Sequence, residues 1–533
     1  MQVYQIGKRV LALAGLIGLA ACSPEPESPN LATIYSRVAE ASDGALRRPL
    51  ITVPGTLGSR LVDGLTGTII WGGGSRGLSA DPTDPDEARL IALPILDEDT
   101  PFSAHRDSVR AAGVIDTAEA DVLGLKVKLD VYSGVRRTLR AGGFRVGAPR
   151  DANQITTLPD DTGAITTSGA QTLADAETAF RFDYDWRRDI ASLAQDFHTF
   201  IMQRRELVAG QRSRQTGQTV RPEDVTFDLL AHSMGGLVTR YYLMHGPAPL
   251  GEEGALPPIT WEGAQHFHRV IIVAAPNAGS IVAMDNLVNG KELGPFQPFY
   301  EAPLLATHPS TWQLMPRARH DRIRFGSSAG QAMEDPYDWR VWQRFGWAMA
   351  SPEAEPLLSW LLPDIPSAAE RRERALVHQR RMLARAERFH RSIDRWAPKP
   401  ARLEMFQVVG GGFQTPANAI VDPETGSFTI NGVEEGDGVV LRASVLLDER
   451  QGGEYVAGLQ TPLRFDTTLF LPDEHVELTR NAVFGDNLLF WLLEQPRDST
   501  DLAEPETKAL KALSPESKEP RTADEFAEAG SDR

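Results

Sequence analysis

Short apolar runs recur along the chain and end at turn-forming residues. They are rich in β-branched and aromatic residues, which is typical of strands buried on both faces of a parallel sheet. We predict one strand for each run: Leu50–Val53, Phe180–Asp183, Val225–Leu230, Arg269–Ala274, Glu404–Val409 and Asp466–Leu471.

Helical patterns separate most of these runs, with apolar residues returning every three to four positions. Examples are Val131–Arg140, Ile190–Glu206 and Leu237–Met244. Strands that alternate with helices predict an α/β fold whose mostly parallel central sheet is covered on both faces. In such folds the loops at the carboxyl ends of the strands build the functional site.

Two stretches break the alternation and predict large insertions that cover the site. Residues 58–120 are rich in Gly, Pro and Asp, and we interpret them as a lid. Residues 279–400 form a predicted cap that is rich in tryptophan: Trp312, Trp339, Trp342, Trp347, Trp360 and Trp396. We expect most of these to be core residues of the cap, and the cap itself to form an apolar roof over the site.

The cap ends in a basic segment, Ser367–Trp396, with nine arginines and four acidic residues. Apolar residues follow one another at helical spacing: Leu376, Leu383, Ala386, Phe389 and Ile393. Two interpretations stay open, a helix that contacts anionic lipid and a solvated helix packed through its apolar stripe.

The amino terminus has the pattern of a bacterial lipoprotein signal. Lys8 and Arg9 precede an apolar run that ends in Leu-Ala-Ala-Cys at Cys22, which resembles the lipobox. The resemblance implies a signal peptide over residues 1–21 and lipid attachment at Cys22. Ser23 follows where proteins retained at the inner membrane usually carry Asp. We therefore expect an envelope protein anchored in the outer membrane and facing the periplasm.

Composition narrows the remaining possibilities. Cys22 is the only cysteine, so a lipidated chain has no thiol for disulfides, catalysis or zinc binding. The formal net charge of −17 argues against nucleic-acid partners. Residues 22–45 read as a flexible tether and residues 496–533 as a disordered acidic tail. Residues 46–495 then form one catalytic domain.

A nucleophile motif lies between a predicted strand and a predicted helix. Val225–Gly236 contains Ala231-His-Ser-Met-Gly235, with small residues two positions before and after Ser233. This is the nucleophile-elbow pattern of α/β-hydrolases, except that Ala231 stands where Gly is usual. His232 is expected to pack or to face substrate rather than to transfer protons.

The chain order serine, acid, histidine then locates the base. Past the last predicted strand, His475 is the only histidine before the tail, and it lies in a loop. Several carboxylates between the two could serve as the acid: Asp422, Glu424, Glu434, Glu435, Asp437 and Asp448. Asp437 stands out because Gly436 and Gly438 let the backbone turn sharply around it.

Together these motifs resemble the lecithin:cholesterol acyltransferase family, which includes a lysosomal phospholipase. The matching segments run in order from Val53–Leu61 through Tyr184–Arg187 and Ala231–Gly236 to Gly436–Val440 and Glu474–His475. The resemblance supports Asp437 as the acid. It also implies that the backbone N–H groups of Thr56 and Met234 form the oxyanion hole. Trp71 takes the place of a lid tryptophan, and the glycines after it suggest a mobile loop.

The resemblance implies a serine hydrolase or acyltransferase that acts on lipid esters through a covalent acyl-enzyme, without metal or cofactor. The expected partners are a lipid substrate and, through Cys22, a membrane surface. Two alternatives stay open. One is a generic carboxylesterase of the same fold. The other is a surface lipoprotein that binds lipid without catalysis.

Overall fold

The computed structural model describes most of the chain between the amino-terminal segment and the tail. The described residues are 31–35, 47–74, 77–122, 125–130, 132–147, 177–292, 298–333, 335–450 and 457–494. The predicted signal peptide, Cys22, most of the tether and the tail lie outside them. No helix among the described residues is long and apolar enough to cross a membrane.

Strands and helices follow one another along the described chain. The strands are β1 Leu50–Val53, β2 Ser59–Asp63, β3 Ile69–Gly74, β4 Gly77–Ser79, β5 Val109–Val114, β6 Thr117–Val122, β7 Leu125–Asp130, β8 Ala179–Arg181, β9 Phe227–His232, β10 Phe267–Val273, β11 Lys291–Glu292, β12 Phe299–Tyr300, β13 Ile323–Phe325, β14 Glu404–Gly410, β15 Phe413–Pro416, β16 Ala419–Val421, β17 Phe428–Ile430, β18 Val433–Gly436 and β19 Thr467–Leu471. The helices are α1 Pro85–Ile91, α2 Ser133–Ala141, α3 Ile190–Thr216, α4 Met234–His245, α5 Ile281–Asn289, α6 Ala302–Leu305, α7 Pro309–Gln313, α8 Trp339–Phe345, α9 Glu355–Leu361, α10 Ala368–Ile393, α11 Arg442–Leu446 and α12 Ala482–Leu493.

A six-stranded sheet forms the centre of the fold, in the order β19-β14-β10-β9-β1-β8. Every neighbouring pair in it is parallel. All six predicted strands are in this sheet, with ends that differ by a few residues. All six residues of β9 are buried, because a parallel strand in the middle of such a sheet is covered on both faces. The predicted α/β-hydrolase class is confirmed.

The register places the ends of the central strands together. Val53, the last residue of β1, pairs with Ala231, and Val273 of β10 pairs with His232. The turn after β1 therefore lies beside the residue that follows β9, which is Ser233. The carboxyl edge of the sheet thus assembles segments that are far apart in the sequence.

Helix α3 illustrates how local sequence sets an element that supports the sheet. Asp189 begins it by accepting a hydrogen bond from the Ser192 N–H, and Gly217 ends it at a φ of 68°. Only a residue without a Cβ adopts that left-handed conformation at little cost. The helix packs its buried residues against α4, which follows the nucleophile.

The first insertion forms an antiparallel sheet in the order β4-β3-β2-β5. Trp71 lies in β3, 6% exposed, and stacks edge-on against Trp186 at 5.9 Å. The glycines after Trp71, which suggested a mobile loop, are the last residues of β3. Gly72 and Gly73 have positive φ angles and shape an irregular strand rather than a hinge.

The two insertions share one apolar core. Leu96 and Phe102 from the first pack with Trp312, Trp342 and Trp347 from the cap, residues 279–400. Buried side chains also bond to the backbone across the two segments. His308 contacts the Ile91 carbonyl at 2.9 Å, and His378 Nδ1 accepts from the Leu96 N–H at 2.9 Å. These contacts hold the insertion without a disulfide.

The chain divides into two compact units, Met1–Asp486 and Asn487–Arg533. Apart from the end of α12, the features described above belong to the first unit. The described part of the second is the end of α12.

Candidate active site

Ser233 occupies the tight turn between β9 and α4, as predicted. Its φ and ψ are 54° and −128°, a strained conformation for a residue with a side chain. The Ser233 N–H donates to the Val273 carbonyl at 2.8 Å, which ties the turn to the neighbouring strand. This strain is the geometric signature of a nucleophile elbow, because it lifts the hydroxyl clear of the backbone.

Two glycines allow the backbone to come close to Ser233. A Cβ on Gly235 would collide with the carbonyl oxygens of Val53 and Pro54. A Cβ on Gly55 would lie 2.7 Å from the Ser233 Cβ and 3.3 Å from its hydroxyl oxygen. The turn after β1 therefore touches the predicted nucleophile directly, which no larger residue at position 55 would permit.

The structure brings Ser233, His475 and Asp437 together. His475 Nε2 is 2.9 Å from Ser233 Oγ, and His475 Nδ1 is 2.7 Å from Asp437 Oδ2. A carboxylate can only accept at that distance, so Nδ1 carries the proton and Nε2 is free to accept from the hydroxyl. The three residues stand in the order that general-base activation of a serine requires.

The loop around Asp437 holds its carboxylate in place. Oδ1 accepts from the backbone N–H groups of Val439 and Val440, at 3.0 and 2.7 Å. Oδ2 is left to accept from the imidazole of His475. The backbone N–H of His475 donates to the Asp437 backbone carbonyl at 3.0 Å. Burial by itself raises the pKa of Asp437, but His475 and the two amides outweigh it, and the pKa is below its usual value. The group therefore stays ionised beside the imidazole.

Four of the other five candidate acids have partners of their own, and Glu424 is exposed. Glu434 pairs with Arg322, and Asp448 pairs with Arg450. Glu435 pairs with Arg442, while Asp422 is exposed and accepts from turn amides. Asp437 is the carboxylate whose oxygen contacts a ring nitrogen of His475.

The predicted oxyanion residues, Thr56 and Met234, come from two segments that meet beside Ser233. Met234 is the first residue of α4, where a backbone N–H has no acceptor within the helix. Thr56 lies in the turn after β1, and its N–H makes no hydrogen bond to another described residue. The Thr56 hydroxyl is 3.4 Å from the Met234 sulfur. The two residues therefore meet beside the serine.

Aromatic side chains hold the turn Pro54–Gly58. Tyr184 Oη donates to the Pro54 carbonyl at 2.6 Å, and Trp71 Nε1 donates to the Leu57 carbonyl at 2.7 Å. The Gly55 N–H donates to Tyr132 Oη at 2.8 Å. Tyr184 and Tyr132 thus hold the Pro54–Gly55 peptide at its carbonyl and its N–H, and Trp71 holds the Leu57–Gly58 peptide, so the turn is fixed before a substrate arrives. Trp71 is thus buried and bonded to the turn.

The remaining residues of the Tyr-Asp-Trp-Arg motif link this turn to the first insertion. Trp186 Nε1 donates to the Ser59 carbonyl at 3.3 Å. Arg187 is fully buried, pairs with Asp185 and Asp107, and also donates to the carbonyls of Leu90, Ile91 and Ala92. The motif's spacing identified these residues, but only the structure shows what each one holds.

His232 is buried at 5% exposure and bridges two parts of the site. Its Nδ1 is 2.8 Å from Tyr132 Oη, and its Nε2 is 3.1 Å from the His475 carbonyl. Burial, reinforced by His475, lowers the pKa of His232 to about 3, so the ring is neutral. The expectation that it packs is correct, whereas substrate contact finds no support. Nothing in the sequence pointed to Tyr132.

Three of the cap's tryptophans are core residues of the cap, as expected. Trp312, Trp342 and Trp347 are each less than 5% exposed and contact one another. Their indole N–H groups donate to backbone carbonyls of Ala306, Pro336 and Gly426. Trp396 is 59% exposed. The three buried tryptophans therefore contribute to the stability of the cap.

The basic segment forms α10 and packs through its apolar stripe, in agreement with the second of the two interpretations. Leu383, Ala386, Phe389 and Ile393 are buried, and Leu376 is partly so. Arg385 is also buried and bonds both oxygens of Asp189 at 2.8 and 2.7 Å. Among the described residues, no cluster of three or more His, Cys, Asp or Glu could hold a metal ion.

A comparison with protein-family sequence models finds a match for this chain. The sequence model of the lecithin:cholesterol acyltransferase family matches residues 173–324, which include the Tyr-Asp-Trp-Arg motif and the elbow. The predicted resemblance is confirmed over that segment. It supports an enzyme that acts on lipid esters. A sequence comparison with curated proteins finds no match.

Several solved structures are similar to the chain at low identity. The Tle4–Tli4 complex aligns at 14% identity and a TM-score of 0.47, over 84% of this chain and 100% of that one. Lipase 1 from Pelosinus fermentans aligns at 13% and 0.22, over 54% and 80%. EstA from Clostridium botulinum aligns at 13% and 0.22, over 52% and 66%.

Proposed function

We propose that this chain is a serine-dependent enzyme that transfers acyl groups from lipid esters, either phospholipid or acylglycerol, to water or to an alcohol. The observation that carries the proposal is the hydrogen-bond chain from Ser233 through His475 to Asp437. The triad lies beside a turn whose amides are held in place. The family match favours lipid over other esters.

In the proposed first step, His475 Nε2 takes the Ser233 hydroxyl proton as Oγ bonds to the ester carbonyl carbon. The carbonyl π electrons move to the oxygen, and the Thr56 and Met234 amides donate to this oxyanion. The imidazolium is stabilised by the ionised Asp437. As the tetrahedral intermediate collapses, the C–O bond to the leaving alcohol breaks and His475 returns the proton to it.

In the second step the acyl-enzyme reacts with an acceptor. His475 removes a proton from water or from an alcohol, whose oxygen bonds to the acyl carbon. Collapse then releases Ser233 Oγ, which regains its proton from the imidazolium. Water as acceptor makes the enzyme a lipase or phospholipase, and an alcohol makes it an acyltransferase.

We also propose that the mature chain is anchored through lipid on Cys22, in the outer membrane and facing the periplasm. The support is the lipobox-like sequence before Cys22 and the serine after it. An anchor holds the enzyme at the surface that contains its substrate, which raises the effective substrate concentration.

Two measurements test the proposal. A fluorophosphonate probe should label the wild type and not Ser233→Ala, because only an activated serine reacts. Absence of labelling would leave the lipid-binding lipoprotein as the alternative. The kcat/KM for soluble esters should rise with acyl length, since each buried methylene contributes about 0.8 kcal/mol. A profile that peaks at about two to four carbons would leave a generic carboxylesterase.

Mass spectrometry then distinguishes the acceptors. Purified enzyme is incubated with mixed phospholipids, with and without an added sterol. Free fatty acid alone indicates a hydrolase, and a new sterol ester indicates a transferase.

A further inference from the structure

His232 and Tyr132 connect the two halves of the reaction machinery through a single line of hydrogen bonds. At one end, the Gly55 N–H donates to Tyr132 Oη at 2.8 Å. In the middle, Tyr132 Oη and His232 Nδ1 are 2.8 Å apart. At the other end, His232 Nε2 lies 3.1 Å from the His475 carbonyl.

The chemistry of the two ends fixes the direction of every bond. A backbone N–H can only donate, so Tyr132 accepts from Gly55 and turns its own proton toward His232 Nδ1. A carbonyl can only accept, so His232 Nε2 must carry the ring proton. The neutral Nε2–H tautomer therefore satisfies all three bonds at once. A protonated ring would place a second N–H against the phenol and disrupt the line.

Both ends of this line belong to the reaction centre. Gly55 precedes Thr56, whose amide is the proposed oxyanion donor, and its Cα approaches Ser233 closely. His475 carries the proposed base, and its backbone N–H is already held by the Asp437 carbonyl. The bond from His232 fixes the other side of the same residue. The His232 and His475 rings also contact each other, with centroids 4.9 Å apart.

We propose that Tyr132 and His232 are positioning residues that hold the oxyanion turn and the catalytic histidine in register with each other. They take no proton from the substrate and touch neither the acyl group nor the leaving group. Their effect is on the distance between the Thr56 amide and His475, because the amide binds the carbonyl oxygen while His475 exchanges protons with Ser233 and the leaving group of the same ester. This inference rests on the proposed serine mechanism.

Two substitutions of His232 separate its two bonds. Gln can place an amide N–H where His Nε2 stands, so His232→Gln keeps the donor to the His475 carbonyl. Asn can place an oxygen where Nδ1 stands, so His232→Asn keeps the acceptor for Tyr132 and loses the contact to His475. Tyr132→Phe keeps the ring and removes only the hydroxyl. All three variants are measured on one soluble ester, with active sites counted by fluorophosphonate titration.

We expect kcat per titrated site to fall about 10- to 100-fold in His232→Asn and Tyr132→Phe, because displacements near 1 Å have effects of that size. The KM should change less than about threefold, since neither residue contacts substrate. His232→Gln should lower kcat to a similar extent, because it keeps the bond to the His475 carbonyl but cuts the line at Tyr132. Combining Tyr132→Phe with His232→Asn should cost no more than the worse single change, because both cut the same line.

A matched control exists elsewhere in the chain. Tyr242 Oη is 2.9 Å from His198 Nδ1, a phenol–imidazole bond between α4 and α3 that leads to no site residue. Tyr242→Phe should lower thermal stability and leave kcat per titrated site unchanged.

The inference is overturned if kcat per titrated site in His232→Asn and Tyr132→Phe matches the wild type, or if Tyr242→Phe lowers it as much. It is also overturned if His232→Gln or His232→Asn alone keeps the wild-type kcat, because one of the two bonds of His232 would then be dispensable. These outcomes leave the proposed function standing as long as Ser233 is labelled. Failure of the wild type to be labelled would overturn both.

Discussion

Around Ser233, buried polar side chains bond to the backbone of the turn and loops that carry the site, whereas in the cap they join one insertion to distant parts of the chain. Tyr184 and Tyr132 hold the Pro54–Gly55 peptide of the turn Pro54–Gly58, and Trp71 holds its Leu57–Gly58 peptide. In the cap, Arg385 reaches Asp189 beside the sheet, and His378 reaches Leu96 in the first insertion.

The two regions have different structural requirements. The reaction centre needs backbone amides and one imidazole placed to within a fraction of an ångström, so short hydrogen bonds fix individual peptides. The cap needs attachment without disulfides, so buried charge pairs and histidines bond across large sequence separations. Changes in the first region should therefore affect turnover, and changes in the second should affect stability.

The largest expected effect comes from the triad. Ser233→Ala and His475→Ala should each lower kcat by several orders of magnitude, because the residues act as one unit, and Asp437→Asn should cost less. The thermal unfolding midpoint should stay near that of the wild type. If His475→Ala kept more than roughly a tenth of the activity, the base would have to be another residue.

Next in size is Gly55→Ala, which tests whether the turn tolerates any displacement. Its Cβ would meet the Ser233 Cβ at 2.7 Å, so the turn must move, and we expect about a 100-fold loss in kcat. Gly210→Ala in α3 is the control, since its Cβ meets only Arg214 at an ordinary 3.5 Å. That variant should gain up to about 1 kcal/mol in stability with unchanged kinetics. Equal kinetics for both variants would contradict the close approach.

In the cap, Arg385→Met should lower the free energy of unfolding by about 3–5 kcal/mol, because it leaves Asp189 buried without its partner. Urea unfolding measures the loss. Arg391→Met on the same helix is the control. Its side chain is 64% exposed, and its pairing with Glu387 contributes less than about 0.5 kcal/mol. Weakened binding to anionic vesicles in Arg391→Met would instead support lipid contact by α10.

Acid should destabilise the core that the cap shares with the first insertion, through the buried histidines that lie there. Burial lowers the pKa of His105 to about 4 and the pKa values of His308 and His378 to about 3. The unfolded chain binds these protons near pH 6.5, so between there and about pH 4 it holds more protons than the folded chain. Stability is therefore full above about pH 6.5 and falls as the pH decreases.

The measurement is the unfolding midpoint at about pH 7 and about pH 5. His378→Asn keeps an acceptor near the Leu96 N–H and removes the titrating group, so its midpoint should depend less on pH. A wild-type midpoint that does not change over this range would argue against neutral buried histidines.

The smallest effect on either region is expected from Cys22→Ser. The proposed anchor lies outside both, so activity on soluble esters should stay within about twofold of the wild type. Membrane fractionation should show release of the variant, and its activity on bilayer lipid should fall. A variant that stays bound as tightly as the wild type would show that another segment attaches it.

The elements that the sequence predicted correctly are those with a local sequence signal. Strand β1 matches its predicted bounds, and the other five central strands differ by a few residues, because apolar β-branched runs are a local signal. The elbow at Ser233 could be predicted because its conformation needs small residues two positions before and after the serine. Asp437 and His475 lie beside Ser233. They could be predicted because chain order and glycine-flanked turns restrict which acid and which histidine can serve. No comparable local signal indicated which backbone groups Trp71, the cap tryptophans and Tyr132 bond.

By itself, the sequence determined the class of fold, the order of the sheet's strands along the chain and the candidate triad. These depend on spacing and on backbone requirements that neighbouring residues express. Only the tertiary structure decided which side chains hold the oxyanion turn, what the buried arginines and histidines of the cap attach, and that His232 reaches the His475 carbonyl 243 positions away. Such contacts depend on how distant segments pack, and a hydrogen bond across that separation leaves no periodicity or motif in the residues that make it.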